Sequence, residues 1–545
     1  MKKIVARNLL LLSLIFLFFF SAPAQRRERL IDIWNPAHYD VSLTFNDSLS
    51  ELTSVTTEIN VSVREYDVSV IDFDFGAMPV KSVTVDGRTA KFNQHDDKLD
   101  VYLDPPTQGK RLTRIVSVTY SGKPKDGLIL TNDKDGLPSA VGDNWPDRVH
   151  HWIPCFDHPS AKATVRFRIT APARNEAVAN GILESKKDNP DGTRTWVYFE
   201  PKRISPYNMV VAVGQFATAE LKAGSSIPIS YYVTHSDRQF AEQGFSPAGP
   251  SVNLFSKMVA RYPYGKLALI VGATRFGGME NADTIVFAPN LFQDFATKKQ
   301  RGVRFNIPSG VEGVVAHEIA HQWFGDSVTE ATWADLWLSE GFATYFAGLF
   351  LQKYEGEAAF RAYMKDNAAE YFAYEKIART PIHDTETEDL FALLNKNNYE
   401  KGSWVLHELR GMLGDKVFFA ALKNYYNQHK GSTATSEDLR AAFEKASGKN
   451  LREFFDRWIY QSGHPVYKIF WTQVDAKTIE LTLEQKQPDA AFLLPVTVEI
   501  ITARGKRRVQ ITPTGKTSSL KLRSAKPVGI TIDPDAFILK EVISN

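Results

Sequence analysis

The chain has 545 residues, 65 Lys plus Arg against 63 Asp plus Glu, and is 43% hydrophobic and 12% aromatic. This composition excludes a disordered, collagen-like or disulfide-scaffold protein, and a formal charge of +2 lacks the basic excess of a nucleic-acid binder. At roughly 150 residues per domain the length predicts three to four domains.

Lys2, Lys3 and Arg7 precede an apolar run from Leu9 to Phe20 and a small-residue site at Ala22-Pro23-Ala24, the layout of a secretory signal peptide. The run is 12 residues long, short of the roughly 20 that cross a bilayer as a helix. The expectations are therefore cleavage after Ala24, export to a periplasm or the exterior, and no stable membrane anchor. Cleavage removes three basic residues and lowers the charge from +2 to −1. Cys155 is the single cysteine and sits in Trp152-Ile153-Pro154-Cys155-Phe156. Such apolar surroundings predict a buried structural thiol and not a nucleophile.

From residue 25 to about Gly224 the chain alternates with period two. Val41, Leu43 and Phe45 face one way and Asp40, Ser42 and Thr44 the other, and Ile59, Val61 and Val63 repeat the pattern. Asp86-Gly87, Asp135-Gly136 and Asp191-Gly192 punctuate the run as turns, which predicts an all-β domain. Another strand is predicted at about Ile227 to Thr234, and from Pro250 to about Ser462 a helical period dominates. Ser309 with Glu312 reads as a capping box opening a helix through Trp323, stopped by Gly325. Further helices are predicted at about 334–354, 357–376, 399–413, 415–429, 436–446 and 450–460. After Gly463 the alternation returns at 466–473, 478–485, 496–501 and 528–532, predicting a small β-sandwich over 463–545.

The sharpest local feature is His317-Glu318-Ile319-Ala320-His321 inside the capped helix. Histidines at i and i+4 share one helical face, so both imidazoles reach a single metal ion while Glu318 points at the same place. Glu340 follows His321 by 19 positions, in Trp337-Leu338-Ser339-Glu340-Gly341-Phe342-Ala343. A carboxylate in so apolar a helix is costly to bury alone. A returning antiparallel helix would bring it against both histidines and leave a fourth position for water, which is a catalytic zinc arrangement and not a structural one. The chemistry expected is amide hydrolysis by activated water, with Glu318 as general base.

Four segments in order, Gly277-Gly278-Met279-Glu280-Asn281, His317-Glu318-Ile319-Ala320-His321, Trp337 to Ala343, and Tyr399-Glu400-Lys401-Gly402, resemble the M1 family of zinc aminopeptidases. The resemblance spans nearly the whole chain after residue 24. It implies a β-saddle domain over 25–224, a thermolysin-like catalytic domain over 225–462, and the small β-sandwich, in a short form without a further C-terminal helical domain and hence with a more open cleft. It also implies one zinc ion on His317, His321 and Glu340. Glu280 would hold the α-ammonium of peptides with a free N-terminus, beside Gly277, Gly278, Met279 and Asn281. Tyr399 would stabilise the oxyanion, with Tyr345, Tyr371 and Tyr374 as nearby alternatives.

The sequence departs from the family pattern at several places. Trp145, in Asp143-Asn144-Trp145-Pro146, stands where a second amine-binding acid is common, so help from Asp143 or Asn144 is expected, with Trp145 shaping the first side-chain pocket. His158 and Ser339 replace a commoner acid and a commoner Asn; neither change is expected to abolish zinc binding. The rival readings are a silent peptide-binding member of the same fold, an epoxide-opening bifunctional relative, and an endopeptidase, against which Glu280 in its motif argues.

Overall fold

The computed structural model describes residues 26–543 apart from 66, 77, 110, 111, 223 and 296–309. The leader segment and the Ser309 end of the expected capping box lie outside the described residues. The remaining architecture is β, then mainly α, then β.

An eight-stranded sheet organises the first part. Its long strands Trp34–Phe45 and Leu52–Val63 pair antiparallel, and Trp34–Phe45 also pairs parallel with Ala163–Pro172. Along Trp34–Phe45 the residues Tyr39, Val41, Leu43 and Phe45 are buried while Asp40, Ser42 and Thr44 are partly exposed, as the period-two pattern requires. Asp86-Gly87 turns with positive φ at both residues, a geometry Gly adopts at no steric cost and Asp tolerates. A four-stranded sheet (Glu176–Ala179, Val211–Gly214, Pro138–Gly142, Leu128–Asn132) and a three-stranded one (Val70–Asp74, Lys98–Tyr102, Phe92–His95) complete this part. Cys155 is fully buried; its backbone exchanges hydrogen bonds of 2.8 and 3.0 Å with Asp74, and burial pushes its thiol well up, so it is a structural residue.

A five-stranded sheet in the order Ala217–Glu220, Ile229–Val233, Leu267–Val271, Thr284–Phe287, Gly278–Met279 introduces the second part. Its strand Ile229–Val233 falls where a strand was expected before the helical block, and Ala217–Glu220 joins the same sheet. Alternation marks a strand but not the sheet it joins, and Ala217–Glu220 is tied by its hairpin to Ile229–Val233. The helices that matter here are Val311–His321 and Trp337–Tyr354. Every residue from Trp337 to Phe350 is buried, which explains why that helix is apolar on all faces. The expected helix from 399 is two elements, a π-helical turn Asn397–Lys401 followed by Gly402–Leu413.

One continuous core runs through the first two parts, and a separate small core centred on Tyr467, Leu481 and Val498 supports the last. There, sheets Thr517–Arg523, Thr478–Gln485, Val466–Asp475, Glu541–Val542 and Gly505–Ile511, Val496–Thr502, Pro527–Ile532 face each other as a sandwich. Gly505–Ile511 was not expected. Lys506, Arg507 and Arg508 make it a charged, exposed edge strand, a composition that protects an edge but hides the alternation.

Candidate active site

The His317 helix and the Glu340 helix return on each other through a tight connection at Gly325, whose φ of +122° excludes most side chains. A Cβ there would lie 3.0 Å from His321 Nδ1 and would collide with Ser339 Oγ. This close passage brings Glu340 against both histidines. His317 Nε2 and His321 Nε2 are 3.1 Å apart, and Glu340 Oε2 lies 3.3 Å from each. Those three edges match the donor spacing of about 3.3 Å set by bonds of about 2.0 Å to a tetrahedral zinc. Two imidazoles and a carboxylate are also a donor set that zinc favours. The residues present therefore fit the ion.

The histidine rings are held from behind. His321 Nδ1 donates toward Phe324 O at 3.1 Å and Ser339 Oγ at 2.9 Å, which turns Nε2 inward. Ser339 thus orients a ligand, a role its identity as a departure did not reveal. The His317 ring stacks parallel to Tyr399 with centroids 6.0 Å apart. Tyr399 projects from the π-helical turn, a local distortion frequent at functional sites. That turn meets the Glu340 helix backbone to backbone, since a Cβ on Gly341 would lie 3.0 Å from Gly402 Cα.

Gly278–Met279 is the edge strand of the five-stranded sheet, paired through Phe287 and Val286. Gly278 passes so near Glu318 that a Cβ would lie 2.6 Å from its Cγ. Two positions on, Glu280 is buried, and ligand atoms of Glu280, Glu318 and His321 lie within 4.8 Å of one another. Asn281 is fully buried, its Nδ2 donating to Met279 O at 3.4 Å. Gln322, directly after the second histidine, was overlooked by sequence reasoning. Its Nε2 donates to Glu280 O at 2.9 Å and its Oε1 accepts from Asp283 N at 2.8 Å, so it bolts this loop to the His317 helix.

Asp143 and Asn144 are both bonded to groups other than Glu280. Asp143 is fully buried and receives Arg148 at 3.0 Å, Thr274 Oγ1 at 3.2 Å and Arg275 N at 3.2 Å. Asn144 is bonded to Met209 O and to Trp152 Nε1. Both side chains tie their loop to neighbouring segments at Thr274, Arg275 and Met209, and so are satisfied as buried polar groups must be. Trp145 instead lines the cavity, edge-on to Phe276, Trp333 and Phe391. His158 joins Glu28 at 3.2 Å, away from the ligands.

The cavity is about 760 Å³ and is lined by Gly277 to Glu280, both histidines, Glu318, Glu340 and Tyr399, but not by Tyr345, Tyr371 or Tyr374. No Lys or Arg is among its described lining residues, whereas Glu312, Glu355 and Asp366 add to the acids at its centre. Burial pushes the Glu318 carboxyl well above the usual range, with His321 opposing and Glu280 and Glu340 adding. Burial, with Glu340 adding and His321 opposing, pushes Glu280 up to about 7. Burial and the charge of Glu340 raise the Tyr399 phenol, which therefore keeps its proton. Glu340 itself is held below the usual range, burial being outweighed by His321 and His317.

Residues 253–458 match the peptidase family M1 domain and residues 35–207 match the peptidase M1 N-terminal domain. The chain belongs to peptidase family M1. It is 26% identical over 505 residues to "Probable aminopeptidase 1" of Sulfurisphaera tokodaii, covering 87% of this chain and 59% of that protein. It is 30% identical over 372 residues to "Aminopeptidase M1-A" of Oryza sativa subsp. japonica, covering 66% of this chain and 40% of that one. The chain thus spans well under two thirds of the length of these M1 relatives. The crystal structure of an M1 zinc metallopeptidase from Deinococcus radiodurans shares the fold, with a TM-score of 0.66, 24% identity, and coverage of 82% of this chain and 96% of that one. No helix among the described residues is long and apolar enough to cross a membrane.

Proposed function

We propose that this chain is an aminopeptidase that hydrolyses the N-terminal bond of peptides, with one zinc ion held by His317, His321 and Glu340. When bound there, zinc supplies Lewis acidity toward the scissile carbonyl and makes water a competent nucleophile near pH 7. Glu318, buried and with a high affinity for protons, takes the proton of the attacking water and hands it to the leaving amine. Tyr399 keeps its phenolic proton and donates it as a hydrogen bond to the developing oxyanion. The free edge of Gly278–Met279 suits pairing with an extended peptide.

The observation that carries this reading is the placement of Glu280 within 4.8 Å of Glu318 and His321. A carboxylate there pairs with a free α-ammonium beside the reacting carbonyl, and a blocked N-terminus would leave it buried and unpaired. The acids Glu280, Glu312, Glu355 and Asp366 among the described lining residues favour a cationic N-terminus in the cavity. The first 24 residues support export of the chain before it acts.

The test is a panel of aminoacyl chromogenic amides beside their N-acetylated forms, with and without a zinc chelator, on wild type and Glu280→Ala. Chelator-sensitive release from free-amine substrates alone is expected. Glu280→Ala should raise KM for them by about 10- to 100-fold, the range of a lost charge-assisted hydrogen bond. Equal cleavage of the acetylated forms by wild type would overturn the exopeptidase reading.

A further inference from the structure

Among the described residues, one cluster of metal-ligating side chains outside the active site is built like a second site. Ligand atoms of Asp97, His150 and His151 lie within 4.8 Å of one another in the N-terminal β part, and none of the three lines the active-site cavity. We propose that these residues bind a second divalent ion of borderline softness, such as zinc, as a tie between the turn after Phe92–His95 and the loop that carries the two histidines.

Four observations support the site. First, His150 Nδ1 donates to Asp157 Oδ2 at 2.8 Å, and the same oxygen receives His150 N at 3.0 Å. A carboxylate behind an imidazole fixes the ring and leaves Nε2 as the outward ligand, the arrangement found behind most metal-bound histidines. Second, His151 Nδ1 is shielded from solvent and has no hydrogen-bond partner. Buried ring nitrogens are seldom left so, and a bound cation accounts for it.

Third, both segments are pinned to consecutive backbone groups: Phe75 N donates to Asp97 O at 2.9 Å and Gly76 N to His150 O at 2.8 Å. The donors are thus brought together by backbone and not by chance side-chain rotamers. Fourth, Gly76 keeps the space between them open. A Cβ there would lie 2.7 Å from His151 Nδ1 and 3.4 Å from Asp97 Oδ1, although the Gly76 backbone is outside the left-handed region. Space and not conformation asks for glycine here. Bonds of about 2.0 Å require donors about 3.3 Å apart. The exposed Asp97 side chain, on a turn where Asp96 and Asp97 both have positive φ, closes the remaining distance by rotation and leaves room for water ligands. Two imidazoles and one carboxylate select zinc, nickel or copper over calcium or magnesium.

The experiment counts zinc per chain by elemental analysis after equilibrium dialysis of the full-length protein against buffered micromolar zinc. Wild type is compared with His151→Ala and Asp97→Gly; glycine accepts the positive φ of position 97, so its turn is retained. Wild type should hold one zinc per chain more than either variant, with peptidase turnover and far-UV circular dichroism unchanged in Asp97→Gly. Equal zinc counts in wild type and Asp97→Gly would overturn the site. If His151→Ala does not fold, Asp97→Gly decides alone.

Discussion

Replacing Gly278 by Ala tests whether the position of the Glu318 carboxyl limits turnover. The added Cβ would lie 2.6 Å from Glu318 Cγ and closer still to the carboxyl group. Non-bonded carbons settle at about 3.5 Å, so the Glu318 side chain must withdraw by about 1 Å. The backbone of Gly278 is not in the left-handed region, and its pairing with Phe287 is compatible with alanine. Strand and ligands therefore stay in place while the proton acceptor moves. A displacement of that size costs about 100-fold in rate. Steady-state kinetics on a leucyl amide should show kcat reduced about 100-fold, with zinc content and thermal midpoint near wild type. A kcat within about threefold of wild type, in zinc-loaded protein, would refute the reasoning, because a change of under 1 kcal/mol in the barrier is too small for a displaced base.

Two further outcomes follow from buried polar groups. Ser339→Ala removes the hydroxyl 2.9 Å from His321 Nδ1 while Phe324 O remains at 3.1 Å, so zinc affinity should fall about 10-fold in a chelator competition; unchanged affinity would show that the carbonyl alone orients the ring. Lys162 is buried, donates to Asp326 O and Ser327 O at 2.8 and 3.0 Å, and burial lowers it to about 7. The unfolded chain binds this proton up to about pH 10.4, so between pH 7 and 10 the unfolded state is the more protonated one and stability rises with pH, by about 1.4 kcal/mol per unit. Urea unfolding at pH 7, 8 and 9 should show Lys162→Met lacking that slope relative to wild type, and parallel slopes would contradict it.

What was legible in the sequence was whatever left a periodic or local signature. His317, Glu318 and His321 share a helical spacing, and Glu340 stands out as an acid in a helix with no polar face. The alternation at Val41, Leu43 and Phe45 reads directly as a buried strand face. Gln322 left no such trace, because its function lies in bonds to Glu280 and Asp283, some forty residues earlier in the chain. Asp143 and Asn144 looked available because a sequence does not show that Arg148, Thr274 and Trp152 already use them. The π-helical turn at Tyr399 is likewise invisible to a 3.6-residue period, which continues smoothly into Gly402–Leu413.

The contact between Gly341 and Gly402 has a practical meaning for redesign. Where two backbones touch with no side chain between them, the spacing has no adjustable part. Glu340 and Tyr399, the proposed metal ligand and oxyanion donor, lie one residue before Gly341 and three before Gly402 and are therefore spaced by a single rigid joint. A library that seeks a new preference at the first pocket should vary Trp145 and Phe276, which line the cavity, with Phe391 packed behind them. Any atom added at the glycine joint would detune both electrophilic partners of the carbonyl at once, and no change in the pocket would restore their distance.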